Sequence, residues 1–271
     1  MKYLRRSGKG QLEHRLRRAR FPRRPTRDVI RVRTTGRASL GTSNVIASVL
    51  HDIFLIMNIA APGCCDFYRA SLAGAQYEPN ISLSNVNFEN ALYIHLHSGW
   101  PIIRILDLHR VVSWYEKVRQ GISQIPQNPT ERVLFALLHM AKIDVSPMMV
   151  IWQFYALESL LQTKVGENFS SIVRRLCLLL EANAQQSNLL RTKLRTLYDI
   201  RSAIVHGGFE VTHPMHNGIL DKRIDEGFAR LIDATDFGNA ILLASIQKII
   251  ENGWKFPRFD EVVGGDVDQL A

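Results

Sequence analysis

Apolar positions recur at helical spacing along most of the chain. Residues 44–61 form an apolar run that predicts a helix. Asp107 to Arg119 places Leu108, Val111, Val112, Tyr115 and Val118 on one stripe, which predicts a second. From Asn128 onward the punctuation sharpens. Asn128-Pro129 pairs a cap residue with proline at the first helical position and opens a helix to about Lys142. Ser146-Pro147 repeats the device and opens another to about Thr163. Asn168 or Ser170 begins the next, to about Ala184, and Ser187 the one after. That helix carries Leu190, Leu194, Leu197, Ile200 and Ile204 on one stripe and stops at Gly207-Gly208, where glycine accepts the left-handed conformation. Residues 209–220 read as a loop. A last helix opens near Asp221 and runs to about Asn252, before a tail expected to fray from Pro257. The short connections favour antiparallel neighbours in a bundle.

One stretch breaks the pattern. Between Asp66 and Trp100 the signals are mixed, and Tyr93-Ile94-His95-Leu96-His97 alternates like a short strand bounded by Gly99 and Pro101. His95 and His97 would then share one face, which is half a metal site, with no third ligand nearby. The fold class expected is mostly α: an antiparallel helical bundle over 128–256, a helical or α+β part over 41–127, a flexible tail over 257–271, and a disordered basic arm over 1–40.

The arm emerges only when charge is divided along the chain. The 271 residues carry a formal net charge of +9. Residues 1–40 hold 14 basic and two acidic residues, +12; the rest hold 20 basic and 23 acidic, −3. The arm has few large apolar residues and prolines at 22 and 25, so it cannot bury enough surface to offset the entropy of ordering it. Three readings stay open: a polyanion tether, an Arg-rich transit peptide, or a solvated tail, which includes upstream sequence translated from a misplaced start. Arg5 and Arg6 lack a following apolar segment, which argues against an export signal.

Membrane and redox chemistry recede next. Val45 to Ala61 is broken by His51, Asp52 and Asn58 and ends at Pro62-Gly63, shorter than the ~20 residues of a bilayer span, so a buried helix is expected and no membrane partner. Cys64, Cys65 and Cys177 give no disulfide framework, and the compartment inferred is reducing and cytoplasmic. The phosphate-cradling Gly-x4-Gly-Lys-Ser/Thr loop, Gly-x-Gly-x-x-Gly, His-Glu-x-x-His and Cys-x2-Cys are all absent, and no cofactor is implied.

The chemistry concentrates in Leu197-Tyr198-Asp199-Ile200-Arg201-Ser202-Ala203-Ile204-Val205-His206-Gly207. Arginine offers a permanent charged fork to phosphate, and histidine titrates near neutrality. On an ideal helix the two lie about 140° apart, so they converge only if the last turn tightens or His206 swings past the end. The following glycines permit that swing.

This string resembles the Arg-x4–6-His motif of the HEPN superfamily, in particular its Apea-like branch. Ala156-Leu157-Glu158-Ser159-Leu160-Leu161 is similar to the family's second helix, Ile172-Val173-Arg174-Arg175-Leu176 to its arginine-bearing third, and Lys193 to Tyr198 to the approach to the motif. The similarity covers about 128–252. The residue after the arginine is Ser202, where many HEPN ribonucleases carry Asn, Asp or His. The resemblance implies an α-helical, usually dimeric protein. Members are metal-independent ribonucleases of defence, toxin and RNA-processing systems, or non-catalytic modules that bind RNA or a partner protein.

Cleavage through the RNA 2′-OH needs a base, an acid and positive charge on the phosphorane. One chain supplies one such histidine; two chains about a twofold axis supply two. The expected site is therefore composite in a homodimer. His206 is general acid/base, Arg201 phosphate clamp and Ser202 an orienting hydrogen-bonder, with Glu158, Asp199 and Tyr198 in support and Arg174 and Arg175 toward RNA. Products would be a 2′,3′-cyclic phosphate and a 5′-OH. Against this stands a structural alternative: Arg201 pairs with Glu158, and His206 caps a helix end whose dipole favours a cation. His213 and His216 are further loop residues close enough in sequence to line the site.

Overall fold

The computed structural model describes residues 40–70, 81–119, 121–163, 169–213, 215 and 219–259. The expected behaviour of the basic arm falls almost wholly outside them, as does His216. Among the described residues the chain is mostly helical, with eight helices and one two-stranded ribbon.

The first helix, α1 (Leu40–Ala60), buries Phe54, Leu55 and Ile59 completely. Its Ser43–Ala60 stretch is long and apolar enough to cross a membrane. Here one face packs into the protein core. Strands β1 (Phe67–Ala70) and β2 (Ile81–Leu83) pair antiparallel, Phe67 opposite Leu83. Then come α2 (Val86–Ser98) and α3 (Leu108–Val118), the latter capped by Asp107, whose side chain accepts from the Arg110 N–H.

The expected strand at 93–97 is a correction: it is the last turns of α2. A five-residue alternation is too short to fix a period, and here burial follows the helical spacing of Phe88 and Ala91 against α8 (Arg223–Glu251). His95 and His97 therefore point about 160° apart and do not share a face. His95 Nδ1 meets the Pro101 carbonyl at 3.0 Å; the His97 ring stacks on Tyr93 at 3.7 Å. No group of three metal-ligating side chains exists among the described residues.

The later helices are α4 (Pro129–Ala141), α5 (Pro147–Leu161), α6 (Phe169–Leu179) and α7 (Ala184–Val205). Both proline-opened helices start where the sequence places them, and the Asn128 side chain accepts from the Glu131 N–H. Two boundaries differ. α6 stops five residues early because the chain turns at Glu181, whose φ of 51° is left-handed. α7 starts at Ala184, since Asn183 and Gln186 form a reciprocal capping box ahead of Ser187. Of the tail expected to fray, residues 260–271 lie outside the described residues; at its start Pro257 is buried and its carbonyl accepts from Gln162 Nε2 at 2.5 Å.

One continuous core joins 41–127 to the later helices, and α8 organises it. It packs against α2, α5 and α7 and touches α1, α3 and α6. From Leu231 onward its residues are buried on nearly every side, while its first two turns are largely exposed. Polar clamps fix its register. Gln153 of α5, fully buried, donates to the Thr235 carbonyl and to Asn239 Oδ1 at 2.7 and 2.8 Å. Gly238 sits so close that a Cβ there would fall 2.6 Å from the Gln153 amide oxygen, which explains a glycine in mid-helix. Gln247 donates to the carbonyls of Ile59 and Arg104, tying the earlier part of the chain to the same helix.

Candidate functional site

The Arg201–His206 segment closes α7, and its geometry follows from the glycines. Gly207 takes φ of 73°, the Gly208 N–H donates to the Ala203 carbonyl at 2.8 Å, and the chain leaves the helix in a Schellman turn. His206 is the C-cap, at φ −98° and ψ 9°. Its backbone N–H donates to the Ser202 carbonyl at 3.0 Å, and its imidazole is exposed with no hydrogen-bond partner among the described residues. The sequence expectation that the helix ends there, with His206 at the margin, holds.

Arg201 is placed from below. Tyr198 packs edge-on against Phe154 of α5 at 5.9 Å and against Phe169 of α6 at 5.2 Å, which binds the three helices together at this level. One turn later the Arg201 guanidinium lies over the Phe154 ring at 5.9 Å, with Nη2 3.7 Å from Glu158 Oε1. Both side chains are partly exposed, at 32% and 42%. The contact is too long for a hydrogen bond, so the pair is loose and the guanidinium edge stays open to solvent. Ser202 is half-buried on the following position, and Asp199 is exposed.

The two neighbouring arginines separate. Arg174 is exposed on α6. Arg175 turns inward: it is 7% exposed, donates to the Leu161 and Gln162 carbonyls at 3.1 and 3.2 Å, and lies over Phe259. It caps the C-terminus of α5, so the expected RNA contact from Arg175 is corrected to a structural role. Beyond α7, His213 is exposed, as are Val211, Met215, Ile219 and Leu220.

A second polar constellation escaped the sequence reading, which met His51 and Asp52 only as interruptions of an apolar run. They line a cavity of about 640 Å³ between α1, the α3–α4 connection and α4. Asp52 Oδ1 accepts from the Tyr115 hydroxyl at 2.7 Å and lies 2.8 Å from Arg119 Nε. The Arg119 contact is an ion pair by distance, without hydrogen-bond alignment. Burial, with the Asp52 charge beside it, holds the Tyr115 hydroxyl well above the usual phenol range. The only sequence signal was a charged pair inside an apolar helix.

Comparisons with protein-family models, with curated proteins and with solved structures each returned no match.

Proposed function

We propose that this chain is a metal-independent endoribonuclease of HEPN type that acts as a homodimer in the cytoplasm, cleaving RNA through its own 2′-OH. The observation that carries the reading is at the end of α7. A permanently charged, solvent-open Arg201 stands five residues before an exposed imidazole held at the C-cap by the Gly207 turn. The resemblance over 128–252 points the same way. His206 moves the proton, Arg201 clamps the phosphate and Ser202 orients; a second copy supplies the complementary acid. The exposed apolar residues Val205, Val211, Ile219 and Leu220 give that copy surface to cover. Defence or toxin activity, with a regulatory partner protein, fits such an enzyme.

One observation favours a second reading, a non-catalytic HEPN module binding RNA or protein: Glu158 partly neutralises Arg201. Incubation of purified protein with RNA, followed by end-group analysis, separates the two. The nuclease reading expects 2′,3′-cyclic phosphate and 5′-OH ends, with His206→Ala and Arg201→Ala each losing about a hundredfold or more in rate. Salt-sensitive RNA binding without cleavage supports the module. Equal cleavage by wild type and both variants overturns the mechanism.

A further inference from the structure

We propose that the cavity between α1, the α3–α4 connection and α4 binds a phosphate monoester of mononucleotide size. This site is separate from the α7 end and does not rest on the ribonuclease reading.

The size fits first. About 640 Å³ lies within the range of small-ligand sites and admits a sugar phosphate carrying a planar ring. The charge fits next. Arg119, Lys142, His51 and His139 line the space against one carboxylate, Asp52. Asp52 lies against the Nε edge of Arg119 as an ion pair at 2.8 Å, and Nη1 donates to the Ser123 carbonyl at 3.0 Å. That fixes a guanidinium whose side chain is 5% exposed, with Nη2 making no hydrogen bond among the described residues. A buried, oriented fork is the group that recognises a planar or tetrahedral oxyanion.

The imidazoles add a reserve of charge. Partial burial, and then the Lys142 ammonium, lower the proton affinity of both His51 and His139. Both rings and the Lys142 ammonium line the same cavity. His51 uses Nδ1 on the Ala47 carbonyl at 2.6 Å, which leaves Nε2 for the ligand side. His139 is held flat against Trp152 at 4.1 Å. A dianion entering there offsets the Lys142 repulsion and draws protons onto the rings. With both protonated, four cationic groups face one carboxylate, a balance suited to a phosphate dianion rather than a monocarboxylate.

The rest of the wall matches a ring. Ile81, Phe135 and Leu138 are apolar, and Arg119 lies over the Phe135 face at 5.1 Å. Gln124 donates to Ser48 Oγ at 2.9 Å, and that amide and hydroxyl, with Asn44, offer donors and acceptors to polar ring edges.

Calorimetric titration of the full chain with adenosine 5′-monophosphate, adenosine and inorganic phosphate tests the assignment. The nucleotide should bind at least about tenfold more tightly than either fragment. Lys142→Gln and His139→Asn, both at exposed positions, should each weaken it several-fold with thermal unfolding unchanged. The His51 and His139 ring protons should shift in NMR spectra on addition of nucleotide. Arg201→Ala should leave the affinity alone. No nucleotide binding, equal binding of adenosine, or loss on Arg201→Ala with none on Lys142→Gln overturns the proposal; the last outcome moves the ligand to the α7 end.

Discussion

Two arginine–carboxylate pairs divide this molecule. Arg119 and Asp52 meet at 2.8 Å with side chains 5% and 20% exposed; Arg201 and Glu158 approach only to 3.7 Å at 32% and 42%. The residue chemistry is the same and the consequences are opposite. In the buried pair both charges are largely withdrawn from water, Arg119 almost wholly, so removal of Asp52 strands the arginine. In the exposed pair water already screens both, and the contact holds a direction more than it contributes energy. An arginine held on two edges is fixed in a cavity wall and can meet only a ligand that comes to it, whereas one loosely held can turn toward its partner in solvent.

The sharpest way to break the comparison is to delete both carboxylates in turn. Asp52→Ala should cost about 3 kcal/mol in urea unfolding, because Arg119 is left buried and the Tyr115 hydroxyl loses its acceptor. A cost like that of a surface site would show that water follows Arg119 inward. Next comes Gly207→Ala, which forces a left-handed φ on a side chain. It should cost about 1 kcal/mol and, under the proposed nuclease function, should slow RNA cleavage by more than that loss of stability accounts for, since it displaces His206. Open space around Gly207 leaves the backbone as the sole source of strain.

Glu158→Ala should cost less than about 1 kcal/mol and leave cleavage equal or faster, because it frees Arg201. A large fall in rate would make Glu158 part of the chemistry. The smallest effect is in pH. His51 binds its proton less readily when folded, so its share of stability is full above the ordinary value of 6.5 and is lost as pH falls below it. In phosphate-free buffer, His51→Gln should flatten the decline in Tm on acidification. An unchanged slope would place the sensitivity at another group.

Much of the fold was legible because the chain marks helix starts with hard chemistry. Asn128-Pro129 and Ser146-Pro147 are read correctly to the residue, since proline at the first position leaves little choice. Gly207 marks a stop for the opposite reason, since it accepts the left-handed φ that other residues resist. The misreadings fall where a marker is absent or weak. Glu181 turns left-handed without being glycine, and the cap expected at Ser187 is Asn183, four residues earlier. The α7 end was legible because its residues are local in sequence. The cavity was not, because Asp52 and Arg119 meet only through the packing of α1 against α3. Sequence also could not say that Arg175 points inward while Arg174 points out, since that depends on where α5 ends.

The 29 residues of α8 make a rod about 44 Å long, and side chains from both 41–127 and 128–256 close upon it. A gene cut between those parts would leave one product without its spine and the other with a greasy flank in water. The pieces would meet proteases and aggregation before they met a substrate. For an experimenter, isolated fragments of the proposed ribonuclease region are poor reagents. A change that breaks α8 would cost the cavity and the α7 end together, although each can be altered alone through its own side chains.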